Sequence, residues 1–358
     1  MTNRENYLSI ARKTGYTFMP PELQMCPSLR ERFTAYAAER GLEIPEGAGN
    51  IPDLPSVSAP AETLWGYHAH KSLAEGTFIS GWGVAYEPGS AAAYHMRRMH
   101  HPMETFDSVE QILAYPYPQF DPNGDGILAQ TAAVKALHDA GRAAVGHMEC
   151  TVWETAWYMR GMENLMCDMY AEDPMAEALL DAVTDRSVQR AISYATAGAD
   201  VIFLGDDVGM QNSILMSEGL YRQWIQPRLK RVIDAARAVK PDVLIFYHSC
   251  GHVTELIPNL IEAGVDVLDP VQPECMDFRS IFHKYGDRLS FHGTLGTQSV
   301  MPFGTPEDVR KCVFENLDIA GPAGGLYVCP THVLEPEVPV ENVEAYILAC
   351  RDYTERYQ

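Results

Sequence analysis

The sequence predicts an α/β protein, a (β/α)8 TIM barrel with an elaborated N-terminal cap region. In the last two thirds of the chain, short apolar runs alternate with stretches of helical periodicity, and uninterrupted apolar runs are typical of parallel strands covered on both faces. Two crossings, 197–206 and 263–269, follow one pattern: a glycine ends a helix, and an apolar strand follows at once and ends in a carboxylate. Such a repeated strand–helix unit is the building block of a barrel.

Eight strands are expected. The first 125 residues are irregular, and there 16–19 and 77–84 are predicted as the first two strands, with a Pro- and Gly-containing stretch over 43–61 between them. The repeats are regular over 126–358, and no linker interrupts them, so the whole chain is predicted to be one domain. The six downstream strands are predicted at 143–148, 200–204, 243–247, 265–268, 289–291 and 326–328.

One long helix is predicted from Ser217 to about Val239. The hydroxyl of Ser217 can cap its first turn, and apolar residues recur along one face. Pro227 lies inside this pattern. Because proline removes a backbone donor and clashes with the preceding turn, the helix should kink or divide there.

A doubly wound open sheet is the alternative architecture. Its nucleotide-binding forms carry G-x-G-x-x-G or G-x-x-x-x-G-K-[ST] after a strand, and neither motif occurs in the sequence. A length of 358 residues fits two average domains or one large α/β barrel. The barrel is therefore preferred.

Composition excludes several functional classes. With 27 Lys and Arg against 48 Asp and Glu, the net charge of −21 argues against nucleic acid or an acidic membrane as the partner. The first residues, MTNRENYLSIARK, carry charges where a signal peptide needs an apolar core, and no apolar run reaches the length of a membrane span. The eight cysteines are scattered, unlike a disulfide framework. A cytoplasmic protein is expected.

Candidate metal ligands follow two strands of the expected barrel, where function collects at the C-terminal ends. His248 and Cys250 close one strand and, two residues apart, should share a face, while Cys329 ends the last strand. Three such ligands suit Zn²⁺ and leave one position open for substrate. A hydrogen-bonded histidine and a packed thiol is the alternative interpretation.

Carboxylates and aromatic residues form a second group at the strand ends. Asp206 follows a strand, where aspartate is either catalytic or a turn residue, and Glu154 and Glu149 are candidates for a fourth, displaceable metal ligand, or for helix-start carboxylates. Four aromatic side chains are candidates for lining a pocket for a flat ligand, although aromatic residues usually belong to the core. These are Trp82, Trp153, Phe203 and Tyr247.

The segment 247–273, YHSCGHVTELIPNLIEAGVDVLDPVQP, resembles the uroporphyrinogen decarboxylase superfamily, in particular its zinc- and corrinoid-dependent methyltransferase branch. The resemblance implies a TIM barrel with His248, Cys250 and Cys329 as zinc ligands. Relatives often have G-P-F-T where this chain reads TVWE, so Glu154 is the preferred additional ligand or polar contact of the site. The R-Q-A-G-R-Y string of the decarboxylases and the D-x-H-x-x-G motif of cobalamin-binding modules are both absent. A corrinoid (cobalamin) is therefore expected on a separate protein that docks at the barrel mouth.

The resulting hypothesis is methyl transfer between a substrate heteroatom and the cobalt of that corrinoid. A methoxylated aromatic ether is favoured as the small-molecule substrate, with Asp206 or His292 orienting the leaving oxygen. The same three ligands would also serve a methylcobalamin:thiol methyltransferase of the coenzyme M type. Two further alternatives are a metal-free decarboxylase of a tetrapyrrole and a non-catalytic zinc-binding barrel. A homodimer remains open.

Overall fold

A curled, parallel, seven-stranded sheet forms the centre of the computed structural model, which describes residues 1–43, 46–89 and 97–357. In chain order the strands are β1 Gly49–Ile51, β2 Ser56–Val57, β3 Phe78–Ile79, β4 Ala85–Tyr86, β5 Met99–His100, β6 Gln119–Phe120, β7 Ala144–Glu149, β8 Val201–Gly205, β9 Leu244–His248, β10 Val267–Asp269, β11 Ser290–His292 and β12 Leu326–Tyr327. The strands of the central sheet follow the order β1-β7-β8-β9-β10-β11-β12.

Helices alternate with these strands and cover the outside of the sheet, as expected for a (β/α) barrel. The helices are α1 Asn3–Arg12, α2 Pro27–Arg40, α3 Ala61–Gly66, α4 Val109–Ala114, α5 Gly126–Asp139, α6 Trp153–Arg160, α7 Met162–Tyr170, α8 Pro174–Ala197, α9 Glu218–Trp224, α10 Gln226–Val239, α11 Ile257–Ala263, α12 Phe278–Tyr285, α13 Val300–Phe303, α14 Pro306–Ala320 and α15 Val340–Tyr357. Helices α8 and α10 pack against each other, and α8 also contacts β7 and β8.

The α/β barrel class is confirmed, and the six downstream strands lie within two residues of their predicted bounds as β7 to β12. The division of the 217–239 helix is confirmed as well. It breaks at Ile225 into α9 and α10, Pro227 lies in the first turn of α10, and the Ser217 hydroxyl accepts the Leu220 N–H at 3.2 Å. A first helical turn tolerates proline because a backbone N–H at that position would have no acceptor within the helix.

Both predicted N-terminal strands are wrong. The segment 16–19 forms no strand, and 77–84 contributes only β3, part of the antiparallel sheet β3-β4-β5 outside the barrel. The strand that pairs with β7 on the side away from β8 is β1. It lies inside 43–61, the stretch predicted as a connection, of which residues 44 and 45 lie outside the described residues. Three residues, Gly-Asn-Ile, are too few to produce an apolar run.

Helix α1 covers the N-terminal ends of the strands. Arg4 forms an ion pair with Asp200 at 2.6 Å, just before β8, and the backbone of α1 accepts hydrogen bonds from Gly325 and Ser290 at β12 and β11. The Tyr327 hydroxyl donates to the Tyr7 carbonyl from inside the barrel. These contacts close the bottom of the barrel, so the opposite end is the one that remains open.

The cap region packs at that open end. His101, directly after β5, contacts the carbonyl of Tyr158 at 2.8 Å, and Arg160 donates to the Met103 and Phe106 carbonyls at 2.8 and 2.7 Å. Tyr158 and Arg160 belong to α6, which follows β7 at the open end of the barrel. Among the described helices, none is long and apolar enough to cross a membrane.

Candidate functional site

Aromatic rings fill the barrel below the mouth. The Phe203 ring stacks on His147 with centroids 4.7 Å apart, and Phe246 lies 5.5 Å from the Tyr327 ring. Side chains two residues further along a strand point to the same side. This periodicity directs His248, two residues after Phe246, into the mouth above the rings.

His248 and Cys250 meet there as predicted. The Cys250 Sγ lies 3.4 Å from Nε2 of His248, and Oδ1 of Asp207 lies 3.7 Å from the same nitrogen. One potential ligand atom from each of these three residues lies within 4.8 Å of the other two. The structure thus assembles an imidazole, a thiol and a carboxylate at one point of the mouth.

The loop that carries Cys250 is held on both sides. Its backbone N–H donates to Oδ1 of Asp207 at 2.7 Å, and the next N–H, of Gly251, donates to Oε1 of Gln272 at 2.9 Å. Gly251 has φ +84°, and a Cβ there would lie 2.7 Å from the Met210 carbonyl oxygen. Only glycine tolerates both constraints, and the two backbone hydrogen bonds hold this loop so that Cys250 lies beside His248.

Asp269 is the shared partner of two imidazoles. Nδ1–H of His248 donates to one carboxylate oxygen at 2.6 Å, and Nδ1–H of His292 donates to the other at 2.5 Å. The sheet order explains this, because β10 lies between β9 and β11, and the register places Asp269 opposite His248. With Nδ1 engaged, each ring directs Nε2 away from Asp269.

Cys329 lies beside His292 rather than in the group formed by Asp207, His248 and Cys250. Its Sγ is 3.4 Å from Nε2 of His292, and Oε2 of Glu22 is also 3.4 Å from that nitrogen. The predicted ligands thus come to one mouth in two imidazole–thiol pairs joined by Asp269.

Burial sets the protonation of these groups. It raises the pKa of both Cys250 and Cys329, although the neighbouring imidazoles counteract it. Burial also opposes charge on His248, but the hydrogen bonds to Asp269 and Cys250 outweigh it and raise the pKa of His248 well above its usual value. The two imidazoles correspondingly lower the pKa of Asp269.

The residues present fit a zinc ion by the chemistry of their donors. A metal-bound histidine usually donates its other ring N–H to a carboxylate, which is the arrangement of His248 with Asp269. Thiols protonated by burial become ligands when a metal displaces their protons. Gly205 leaves the required room, because a Cβ there would lie 2.8 Å from the Cβ of His248.

Glu154 lies beside Asp207 and His248, and its carboxyl group has a raised pKa. Its Oε1 accepts from the Tyr158 hydroxyl at 2.8 Å, and burial followed by the charge of Asp207 raises the pKa of Glu154 to about 7. Glu149, the other candidate, is half-exposed, and its Oε1 lies 3.7 Å from Nδ1 of His147.

Asp206 faces away from the mouth. It is fully buried, and its carboxylate accepts the backbone N–H groups of Val152 and Glu154 at 3.1 and 2.8 Å. Carboxylates are favourable at this position because the helix N-terminus carries partial positive charge. The geometry gives Asp206 the role of fixing α6 and therefore Glu154.

Only some of the four aromatic residues predicted to line the pocket are exposed enough to contact a substrate. Phe203 forms the floor beside His248, and Trp82, in the cap, is half-buried. Trp153 and Tyr247 are fully buried. Tyr247 alternates with the inward-facing Phe246 and His248, and its hydroxyl contacts the carbonyl of Asp206 at 3.4 Å.

Glu22 escaped the sequence-based selection. Asp207 and Asp269 are among the polar residues expected at the strand ends, but no role was assigned to them; the adjacency of consecutive parallel strands could have indicated that they join the site. Glu22 lies in an irregular segment held by the Tyr346 hydroxyl, which accepts its backbone N–H at 2.9 Å. No periodic signal marks that segment.

Comparison with known proteins places these residues in context. The sequence model of the family described as uroporphyrinogen decarboxylase (URO-D) matches residues 97–353. The chain is 30% identical over 206 residues to the methylated-thiol–coenzyme M methyltransferase of Methanosarcina mazei, covering 55% of this chain and 50% of that protein. It is 27% identical over 183 residues to the methylcobamide:CoM methyltransferase MtaA of Methanosarcina barkeri, covering 49% of each.

Decarboxylases and one solved structure are also similar. The uroporphyrinogen decarboxylase of Coxiella burnetii is 25% identical over 190 residues, covering 52% of this chain and 50% of that protein. The chain thus spans about half the length of the curated relatives it matches. The structure of a methyltransferase from Methanosarcina mazei superposes with a TM-score of 0.66 at 18% identity and covers 99% of both chains, which is a likeness of fold.

Proposed function

The chain belongs to the uroporphyrinogen decarboxylase family, and within it we propose that this protein is a zinc-dependent methyltransferase. The reaction would move a methyl group between a substrate heteroatom and the cobalt of a corrinoid carried by a separate protein. The observation that carries this proposal is the pair of His248 and Cys250, with Nδ1 of His248 held by Asp269 at 2.6 Å. A metal-free decarboxylase has no need of a thiol and an oriented imidazole at one point.

His248, Cys250 and Cys329 would hold the ion, and Glu154 would be the fourth, displaceable ligand or the residue that exchanges a proton with the substrate. When bound, zinc supplies Lewis-acid chemistry that stabilises negative charge on the heteroatom. Asp269 fixes the orientation of each imidazole, of His248 and of His292, through one hydrogen bond to each ring. Phe203 and the rings beneath it exclude water from the lower side of the site, which strengthens every electrostatic interaction above them.

Sulfur is the better-supported heteroatom. The sequence favoured an aromatic ether because four aromatic residues were expected to line the pocket, but Trp153 and Tyr247 are fully buried. Two of the most similar relatives are named for transfer to coenzyme M, one of them from a methylated thiol. Transfer to or from a thiol is therefore proposed first. The ether reaction stays a second candidate, since Phe203 and Trp82 can still contact a flat ring.

The corrinoid partner follows from the same reasoning. One relative is named a methylcobamide:CoM methyltransferase, and this sequence lacks the D-x-H-x-x-G motif that would hold the cofactor itself. A separate corrinoid protein would dock over the open end of the barrel, which α1 leaves free by closing the other end. The protein is proposed to act in the cytoplasm. The proposal holds for a monomer and for a homodimer.

The test is methyl transfer from free methylcobalamin to 2-mercaptoethanol by the purified, zinc-loaded protein. We expect turnover that is lost in Cys250→Ser and retained in Cys275→Ser, a matched control because Cys275 follows the neighbouring strand and is not among the proposed ligands. Transfer that is equal in both variants would contradict the assignment. Decarboxylation of uroporphyrinogen by metal-free protein would replace the proposal with the decarboxylase alternative.

A further inference from the structure

The charge around the candidate site is strongly asymmetric. Its carboxylates form ion pairs only with histidines in the described part of the chain: Glu22 with His292, Glu149 with His147, Asp207 with His248, and Asp269 with both His248 and His292. The other two carboxylates, Glu154 and Asp206, form no ion pair among these residues and are not counted as charges at the mouth, because burial raises the pKa of both. The full set is Glu22, Glu149, Glu154, Asp206, Asp207 and Asp269.

Lysine and arginine side chains of the cap are engaged elsewhere. Lys71 pairs with Glu104, Arg98 lies 3.7 Å from Glu87, and the guanidinium of Arg97 lies 5.3 Å from the ring centroid of Phe78. The stretch 90–96 contains neither lysine nor arginine. The described mouth therefore offers an acidic substituent no cationic partner besides histidine.

Two of the carboxylates are exposed to solvent. The side chains of Glu149 and Asp207 are 48% and 45% exposed, whereas that of Asp269 is 7% exposed and accepts hydrogen bonds from two imidazoles. With two thiolates as ligands, a zinc ion contributes no net positive charge to oppose them. An anionic group bound near Cys250 would thus meet negative charge on its solvent side.

From this we infer that the sulfur substrate carries no acidic group and is a small thiol or thioether that is uncharged or cationic. The inference rests on the proposed function and specifies its substrate class. It separates this chain from an enzyme that transfers methyl groups to a sulfonated or carboxylated thiol. Two unit charges a few ångströms apart near a protein surface interact strongly enough to change affinity by about tenfold or more.

The experiment measures binding of three thiols that share the HS–CH₂–CH₂– scaffold to the zinc-loaded protein by calorimetry. The probes are cationic 2-mercaptoethylamine, neutral 2-mercaptoethanol and anionic 2-mercaptoethanesulfonate (coenzyme M). Dissociation constants are expressed per thiolate, so that differences in thiol acidity do not enter. We expect the sulfonate to bind about tenfold or more weakly than the neutral thiol, with a smaller difference at high salt because exposed charges are screened.

A pair of variants identifies the source of the discrimination. Glu149→Gln removes a charge at the mouth and should narrow the ratio between sulfonate and neutral thiol. Asp242→Asn makes the same charge change just before β9, at the opposite end from His248, and should leave the ratio as in the wild type.

Each outcome has a distinct meaning. Binding of the sulfonate as tight as that of the neutral thiol overturns the inference while the proposed thiol site stands. An unchanged ratio in Glu149→Gln likewise overturns it. If none of the three thiols binds to protein that retains its zinc, the proposed thiol function fails, and the inference fails with it.

Discussion

Replacement of Asp269 by asparagine tests the centre of the site, because this carboxylate accepts from both His248 and His292 at 2.6 and 2.5 Å. Asparagine has one carbonyl oxygen, so only one imidazole can keep its acceptor. If His248 is the ring that faces the N–H group, it turns to the tautomer with its proton on Nε2, the nitrogen which a metal needs. If His248 keeps the oxygen, it donates to a neutral amide instead of a carboxylate, which makes it a weaker metal ligand.

The expected magnitude follows from these contacts. Loss of a carboxylate that orients a metal-binding histidine typically weakens metal affinity about 10–100-fold. Because Asp269 is buried and the side chains of His248 and His292 are only 17% and 12% exposed, the metal-free protein should also lose about 3–5 kcal/mol in the free energy of unfolding. Zinc affinity is measured by competition with a chromophoric chelator, and stability by urea unfolding.

Asp266→Asn is the matched control. Asp266 lies at the other end of β10, where it accepts from the Ile245 N–H at 2.7 Å and from Arg237 at 2.8 Å. This variant should be less stable than the wild type without any loss of zinc affinity. Equal zinc affinities in the two variants would refute the reasoning that Asp269 prepares His248 to bind metal.

Three further predictions concern other parts of the molecule. Wild-type protein should contain close to one zinc per chain by elemental analysis, and this zinc content should fall in Cys329→Ser. It should not fall in the control variant Cys312→Ser, because Cys312 lies on α14. A full zinc content in Cys329→Ser would exclude Cys329 as a ligand. Because the pKa of Glu154 is raised to about 7, its protonated form stabilises the metal-free fold below the ordinary carboxyl pKa, and this stability should be lost as pH rises from about 4.5 to about 7. Unfolding of Glu154→Gln should depend less on pH in that range, and identical profiles would contradict the pKa shift. Asp200→Ala should cost about 3–5 kcal/mol of unfolding free energy, since it removes the acceptor of Arg4, His138 and the Ala144 N–H, while zinc content stays at the wild-type level because the site lies at the other end of the barrel.

Several features of the fold and the site were predictable from local sequence. Strands β7 to β12 are buried on both faces, so each produces an apolar run that stands out from the helices around it. The proximity of His248 and Cys250 was predicted from the two-residue period of a strand, although β9 ends at His248 and loop hydrogen bonds hold Cys250 in place. The same period explains why Tyr247, between inward-facing neighbours, belongs to the scaffold rather than to the pocket.

The rest was decided by contacts between distant parts of the chain. Strand β1 has only three residues, and its pairing with β7 rather than its composition makes it a strand. Glu22 reaches His292 from an irregular segment 270 residues away in sequence. The choice of Asp207 over Asp206 for the mouth depends on their contacts, because Asp206 accepts from the N-terminus of α6 and Asp207 accepts from the backbone N–H of Cys250.

The sequence by itself therefore determined the class of fold and the residue types available for a metal, because both depend on periodicity and on chemistry along a few neighbouring positions. The tertiary structure alone decided that Asp269 joins two imidazoles and that the carboxylates of the site pair only with histidines among the described residues. The physical reason is the order of the sheet. Closing parallel strands around one axis brings their ends together, and which side chains then meet depends on register and on segments without a periodic signal.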